Sequence, residues 1–217
     1  MRGSVIKTRV LCVQVIPNAD ASLLEKLNAP KGHRSLGLIT TDCDDASYVA
    51  IDEATKKAQV EVVYAKSFYA GAKNAGTRLA GEFIGIFSAE DPENIKSALE
   101  AAVKCLENDA FFQSADDEDS IVYFAHCVSS CGSYLAQMAK VPQGTAIAYL
   151  IAPPAEAMVA VDAAVKAAET SMAVFYGPPT ETNFAGALLT GEQSACRAAC
   201  EAFAQAVAAV ADDPVKY

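Results

Sequence analysis

The stretch IDEATKKAQVEVVYAK at 51–66 returns as VDAAVKAAETSMAVFY at 161–176. Laid over each other at an offset of 110, Asp52 meets Asp162, Ala54 meets Ala164, Lys56 meets Lys166 and Ala58 meets Ala168. Further pairs follow in the same order. Gly81-Glu82 lies on Gly191-Glu192, SLLEKLNAP (22–30) on SYLAQMAKVP (133–142), LGLI (36–39) on AYLI (148–151), and SFYAG (67–71) near VFYG (174–177). In the second of these, Ser22 meets Ser133, Leu24 meets Leu135 and Leu27 meets Met138. Self-similarity at one period restricts a chain to two copies of one small fold. The acidic run SADDEDS (114–120) falls at the seam and reads as a linker or exposed turn, dividing the chain into 1–113 and 114–217.

Each half carries the same succession of elements. The runs RVLCVQVI, SLGLIT, QVEVVYA and EFIGIFS are apolar and short enough for strands, and SIVYFAHCV, TAIAYLIA, TSMAVFY and GALLTG are their counterparts. Helical patterns lie between them near 20–28, 52–59 and 91–108, then 132–140, 155–168 and 192–210. Asp91 before Pro92 predicts an N-cap with proline in the first turn. Asp52 and Asp162 are expected at helix starts, with Lys56 and Lys166 one turn on, as helix-end electrostatics or subunit contacts. Interleaved strands and helices predict an α+β protein of two small sheets, each covered by helices.

The net charge of −10 excludes the basic footprint that nucleic acid requires and argues against an anionic membrane surface, while suiting cationic ligands. No apolar run approaches the ~18 residues of a spanning helix, and the start MRGSVIKTRV lacks the apolar core of a secretory signal. The cysteine count, seven, is odd, which without such a signal suggests free thiols in a reducing cytosol.

Several residue groups could carry chemistry. DCDD gathers Asp42, Cys43, Asp44 and Asp45, and Glu82 follows a glycine at a strand start. Carboxylates cluster to bind metal, move protons or capture an ammonium group; the bland reading is a solvated turn. On a strand two adjacent aspartates would point apart. Cys196 and Cys200 share a predicted helix face, and Cys127 and Cys131 repeat that spacing beside His126. Zinc sites prefer closer pairs, so small apolar filling is the reading for these thiols, over metal, redox or catalytic roles. His33 and His126 read as satisfied or exposed side chains. FYAGAKNAGTRLAG (68–81) and FYGPPTETNFAG (175–186) are long for strand connections and occupy equivalent places. Their aromatic, glycine and asparagine residues suit a plug that swings, or two ordinary surface excursions.

Taken together, LIAPPAEAMVAVDAAVKAAETSMAVFY and GEFIGIFSAEDPENIKSALEAAVKCL resemble the core of bacterial microcompartment (BMC) shell domains. VQVIPNADASLLEKL resembles the strand and short helix that close that domain, yet it comes first, so the order looks circularly permuted. With RSLGLI, CDD, DEATK, VEVVYA, APPAEA and PPTETNF, the chain resembles EutL-type shell proteins of ethanolamine-utilisation compartments from about residue 8 to 212. That resemblance implies two tandem permuted BMC domains, 1–113 and 114–217. It implies a non-enzymatic homotrimer of pseudohexameric outline, tiling with other shell proteins, without a resident cofactor or metal. It further implies a small pore in each subunit that binds ethanolamine, with walls at Asp44, Asp45, Glu82, Phe112 and Thr182. The gated central pore would be plugged by the two long loops, at Phe68, Tyr69, Ala70, Gly71, Pro178, Pro179 and Asn183. Whether the amine is ethanolamine or choline, and whether a cofactor such as cobalamin passes the central pore, stays open at this stage. A soluble trimeric amine sensor and a metal enzyme built on the carboxylates are the rival readings.

Overall fold

All eight apolar runs form strands, and two shorter strands join them. The elements in chain order are Val5–Lys7 (β1), Val10–Ile16 (β2), Ala21–Lys26 (α1), Ser35–Thr41 (β3), Asp45–Lys57 (α2), Glu61–Ser67 (β4), Phe83–Ala89 (β5), Pro92–Asn108 (α3), Phe111–Ser114 (β6), Val122–Val128 (β7), Ser133–Ala139 (α4), Ala146–Ala152 (β8), Pro154–Ala167 (α5), Thr170–Tyr176 (β9), Ala185–Gly191 (β10) and Gln193–Asp212 (α6). The computed structural model describes residues 1–68, 81–178 and 184–215.

Two units result. The N-terminal unit comprises Lys7–Ala110 with Gly132–Leu135, and the C-terminal unit comprises Met1–Ile6, Phe111–Cys131 and Ala136–Tyr217. In the N-terminal unit the strand order is β2-β3-β5-β4, antiparallel throughout, with Val13 opposite Ile39 and Ile39 opposite Gly85. Helices α2 and α3 lie side by side against this sheet. They bury Ile51, Ile95 and Leu106 with Leu36, Ile39, Phe83 and Phe87 of the strands. The C-terminal unit repeats the arrangement as β7-β8-β10-β9 under α5 and α6, around Phe124, Tyr149, Leu150, Leu189 and Phe203. Its sheet continues past β7 into β6 and β1.

Sequence expectation and structure part in four places. α2 begins at Asp45, so Asp52 and Asp162 lie inside their helices instead of at the starts. Asp52 is buried, and it caps α4 instead, its carboxylate accepting the N–H groups of Gly132 at 2.7 Å and Leu135 at 2.8 Å. Gly81-Glu82 and Gly191-Glu192 are not equivalent, because the first pair precedes β5 whereas Gly191 ends β10 and Glu192 stands directly before α6. The short helices α1 and α4 begin 112 residues apart, as do β2 and β7, so Leu135 corresponds to Leu23 and not Leu24. β1 and β6 were not anticipated, being too short to show alternation.

SADDEDS is the turn between β6 and β7. The Asp116 carboxylate accepts the backbone N–H groups of Glu118, Ser120 and Ile121 at 3.0 Å each, and the Ser120 hydroxyl as well. Those donors, the hydroxyl foremost, hold its pKa down to about 2. The Asp91 cap is as expected, with Asn94 donating its backbone N–H to Oδ1 at 2.8 Å and Pro92 in the first turn of α3.

Candidate functional site

The end of β3 organises the carboxylates of the N-terminal unit. The Thr41 hydroxyl donates to the Cys43 carbonyl at 2.8 Å and lies 2.7 Å from the Ser47 hydroxyl, which also donates to Cys43 at 2.7 Å. These bonds turn the chain sharply into α2. Asp44 becomes the N-cap, its Oδ1 accepting the Asp45 N–H at 2.9 Å, and both aspartates are buried. The Thr41 carbonyl meanwhile accepts the Glu82 N–H at 2.8 Å, and the Glu82 carbonyl accepts the Phe68 N–H at 3.0 Å. One residue therefore fixes both the helix start and the strand entry that carry acidic side chains.

The electrostatics follow from burial. Loss of water pushes Asp44 above the usual carboxylate range, against the pull of hydrogen bonds from Asp45 and Ser67. Glu82 is raised by burial and then by the charges of Asp44 and Asp42. The Tyr48 hydroxyl is raised by burial, opposed by Ser67 and reinforced by Asp44 and Asp45. Burial, with Asp45 and Asp44 behind it, also pushes the Cys43 thiol up, so it stays protonated. Arg9 is engaged with Asp42: its Nε donates to Asp42 Oδ2 at 2.6 Å and its backbone N–H donates to Oδ1 at 2.7 Å. Among the described residues the result is a partly dried group of carboxylate acceptors. Among the described residues no cluster of three or more His, Cys, Asp or Glu side chains is placed to hold a metal ion. The chemistry suits an organic cation with several N–H donors.

The expected site residues fall out as follows. Asp44, Asp45 and Glu82 share the N-terminal unit. Phe112 belongs to the C-terminal unit, buried between Phe124 at 5.2 Å and Phe184 at 6.0 Å between ring centroids. Thr182 lies outside the described residues. Of the pore residues, Phe68 follows β4 and is tied to Glu82, and Pro178 follows β9; Tyr69, Ala70, Gly71, Pro179 and Asn183 lie outside the described residues. Sequence reasoning missed Thr41, Ser47, Tyr48 and Ser67. The signal for Tyr48 was present, since it stands four residues after Asp44 and three after Asp45, the spacing of one helix face. The helix expected near 52–59 starts too late for that spacing to apply to DCDD, whose bland reading is a solvated turn. None of the seven cysteines forms a disulfide. His33 Nδ1 lies 2.8 Å from the Ser88 hydroxyl, and His126 stacks on Phe124 at 5.5 Å.

Comparison with known proteins bears on this geometry. Residues 35–115 match the model of the BMC domain family. The chain is 54% identical to the bacterial microcompartment shell protein EutL of Clostridium perfringens (strain 13 / Type A) over 217 residues, covering all of both chains. It superposes on the crystal structure of ethanolamine utilization protein EutL from Leptotrichia buccalis C-1013-b with a TM-score of 0.97 at 58% identity, again covering all of both chains. A trimeric bacterial microcompartment shell protein, PduB, matches at a TM-score of 0.75 over 94% of this chain and 89% of that one. At 20% identity this last match speaks to the fold alone.

Proposed function

Because the chain belongs to the EutL family of bacterial microcompartment shell proteins, we propose that it works as a pseudohexagonal tile of three copies whose N-terminal unit carries a weak site for an ethanolamine-like amino alcohol. The shell family favours a tile over a soluble amine sensor and over an enzyme. Two units of like topology per chain, taken three times, supply the six positions of a closed ring. Light scattering at micromolar concentration is expected to give the trimer mass, and electron microscopy of concentrated protein to show hexagonally tiled layers. A stable monomer that forms no layers would end this reading.

The observation that carries the amino-alcohol site is the grouping of the buried Asp44 and Asp45 with the half-buried Glu82 in one unit. The central pore is proposed to be gated by the segments that begin at Phe68 and Pro178. They would carry Tyr69, Ala70, Gly71, Pro179 and Asn183, with small metabolites or a cofactor such as cobalamin as passengers. Phe68 is bonded to Glu82 through the backbone, which offers a short route from ligand to gate. Occupancy can bias a gate only if the ligand binds its two states unequally.

Two outcomes test the site. Glu82→Gln and Asp44→Asn should each weaken ethanolamine binding about 10-fold by calorimetry, from a millimolar or high-micromolar starting point. Asparagine still caps α2 and removes a buried charge, so Asp44→Asn should keep or raise the melting temperature while binding falls. Unchanged affinity in both variants removes the assignment. The pH dependence has a fixed sign. An ammonium ligand needs ionised carboxylates, and Asp44 and Glu82 hold protons to higher pH than usual. Affinity should therefore fall as pH is lowered while still above the ordinary carboxylate range of about 4. Binding in that window should release protons, which calorimetry in two buffers of different ionisation enthalpy detects.

A further inference from the structure

The long helices that close the two repeats present different outer faces. On α3, Lys96, Glu100, Lys104 and Glu107 are all exposed. Steps of four, four and three residues put them in one stripe along the helix. Their signs alternate, so from the N-terminus the stripe runs plus, minus, plus, minus. Counted from the first residue of each helix, the counterparts on α6 are Arg197, Glu201, Gln205 and Ala208. That stripe loses its charge half-way. Its far end is also occupied, because Arg2 donates to the Ala208 carbonyl at 3.0 Å and to Asp212 at 2.8 Å.

Beside the charged stripe of α3 runs an open apolar seam. Val13 and Val15 of β2 line a groove of about 360 Å³ with Leu99 and Val103 of α3. Val13 is 36% exposed. Among the described residues β2 is the outer strand of its sheet, whereas its counterpart β7 is followed by β6 and β1. The charges of the stripe are largely free. Lys96 lies 2.8 Å from Glu93, but among the described residues Glu100, Lys104 and Glu107 make no ion pair. Lys7 donates to the Glu107 carbonyl, not to its carboxylate.

Such a stripe complements itself in one orientation. Laid antiparallel on a second copy, Lys96 meets Glu107 and Glu100 meets Lys104, and symmetry repeats both pairs. Laid parallel, like charge meets like at every position. Val103 stands beside the midpoint of the stripe, so the antiparallel arrangement also brings the two apolar seams together.

We infer that the β2–α3 surface pairs with the same surface of a second copy, the two α3 helices running antiparallel about a two-fold axis. A cyclic ring of three copies contains no two-fold axis, so this contact lies outside the tile proposed above and joins one tile to another. It rests on that tile only for the number of surfaces, three on each. Two tiles that meet through all three at once form a closed particle of six copies. A single pair of exposed helices is weak, because surface ion pairs contribute little. Threefold repetition raises the combined affinity without any new contact.

Sedimentation velocity tests the pairing. At roughly 100 µM and low salt the protein should sediment as six copies. In about 1 M salt it should sediment as three, since the screening length there is about 3 Å. Lys96→Glu with Lys104→Glu makes the stripe wholly negative, and Glu100→Lys with Glu107→Lys makes it wholly positive. All four side chains are exposed, so circular dichroism should not change. Each double variant by itself should pair at least ~10-fold more weakly and remain at three copies, whereas an equal mixture of the two should return to six. A parent that stays at three copies in low salt, or a double variant that pairs as the parent does, overturns the α3 contact and leaves the tile. A parent that sediments as two copies in low salt and one in high salt keeps the contact and removes the tile.

Discussion

Replacing Asp52 with alanine should destabilise the chain by about 3 kcal/mol, since it strands two buried backbone N–H groups that the carboxylate now satisfies. For a chain of this size that lowers the melting temperature by roughly 6–12 °C. Asp52→Asn keeps one acceptor but turns an amide N–H toward a backbone N–H, so it should fall between the two. The sign of the pH effect separates this carboxylate from a surface ion pair. Burial raises the Asp52 pKa, against the two N–H bonds and the charge of Lys56. A group whose folded pKa is raised does not lose its contribution as pH falls through the ordinary carboxylate range; a depressed one does. The penalty of the alanine variant should therefore persist into mildly acid solution. Denaturant melts at neutral and acid pH check both points, and a penalty under about 1 kcal/mol at neutral pH would show that Gly132–Leu135 is not held by this residue.

Gly81→Ala should be about as costly and should also abolish amino-alcohol binding. Gly81 has φ +64°, and a Cβ there would stand 1.9 Å from the Thr41 carbonyl oxygen. The left-handed backbone alone costs alanine about 1 kcal/mol. The contact with a backbone oxygen cannot be relieved by a rotamer, so the strand entry must move, for a total of about 2–4 kcal/mol. That same oxygen accepts the Glu82 N–H. Displacing it moves Glu82 and the Phe68 bond together, so the loss of binding should exceed that of Glu82→Gln. Melting curves and calorimetry on one preparation decide the matter. A variant that melts like the parent and binds like it would detach Gly81 from the site.

The repeat made most of the fold legible, because apolar runs of four to eight residues speak for themselves when each occurs twice. Asp91 and Pro92 fixed the start of α3 in the same local way. Misreadings occurred where a residue's role depends on distant chain. Asp52 looks like an N-cap from its neighbours, and it does cap a helix, but one some eighty residues further on. The true cap of α2, Asp44, sits in a run of acids before Ser47, Tyr48 and Val49, a composition that suits a strand edge as well as a helix. The Gly81-Glu82 match was lost for another reason: two glycines that share a letter have different backbones, one left-handed and one extended at a strand end. The three carboxylates of the candidate site were legible as a cluster. Their support by Thr41, Ser67 and Tyr48 was not, because it is assembled from β3, β4 and α2.

The seating of Gly132–Leu135 in the N-terminal unit also sets an order of events during synthesis. All four strands and both long helices of that unit have been made once Ala110 is added. The Asp52 carboxylate must still wait for Leu135, twenty-five residues later, before both of its oxygens are satisfied. At ribosomal speeds of about 5–20 residues per second that is a delay of roughly 1–5 s. During it the nascent unit carries an unfilled socket on α2, in a cell where neighbouring polysomes present the same α4 segment on other nascent chains. Exchange of that segment between chains is the misassembly to which such a pause exposes this protein.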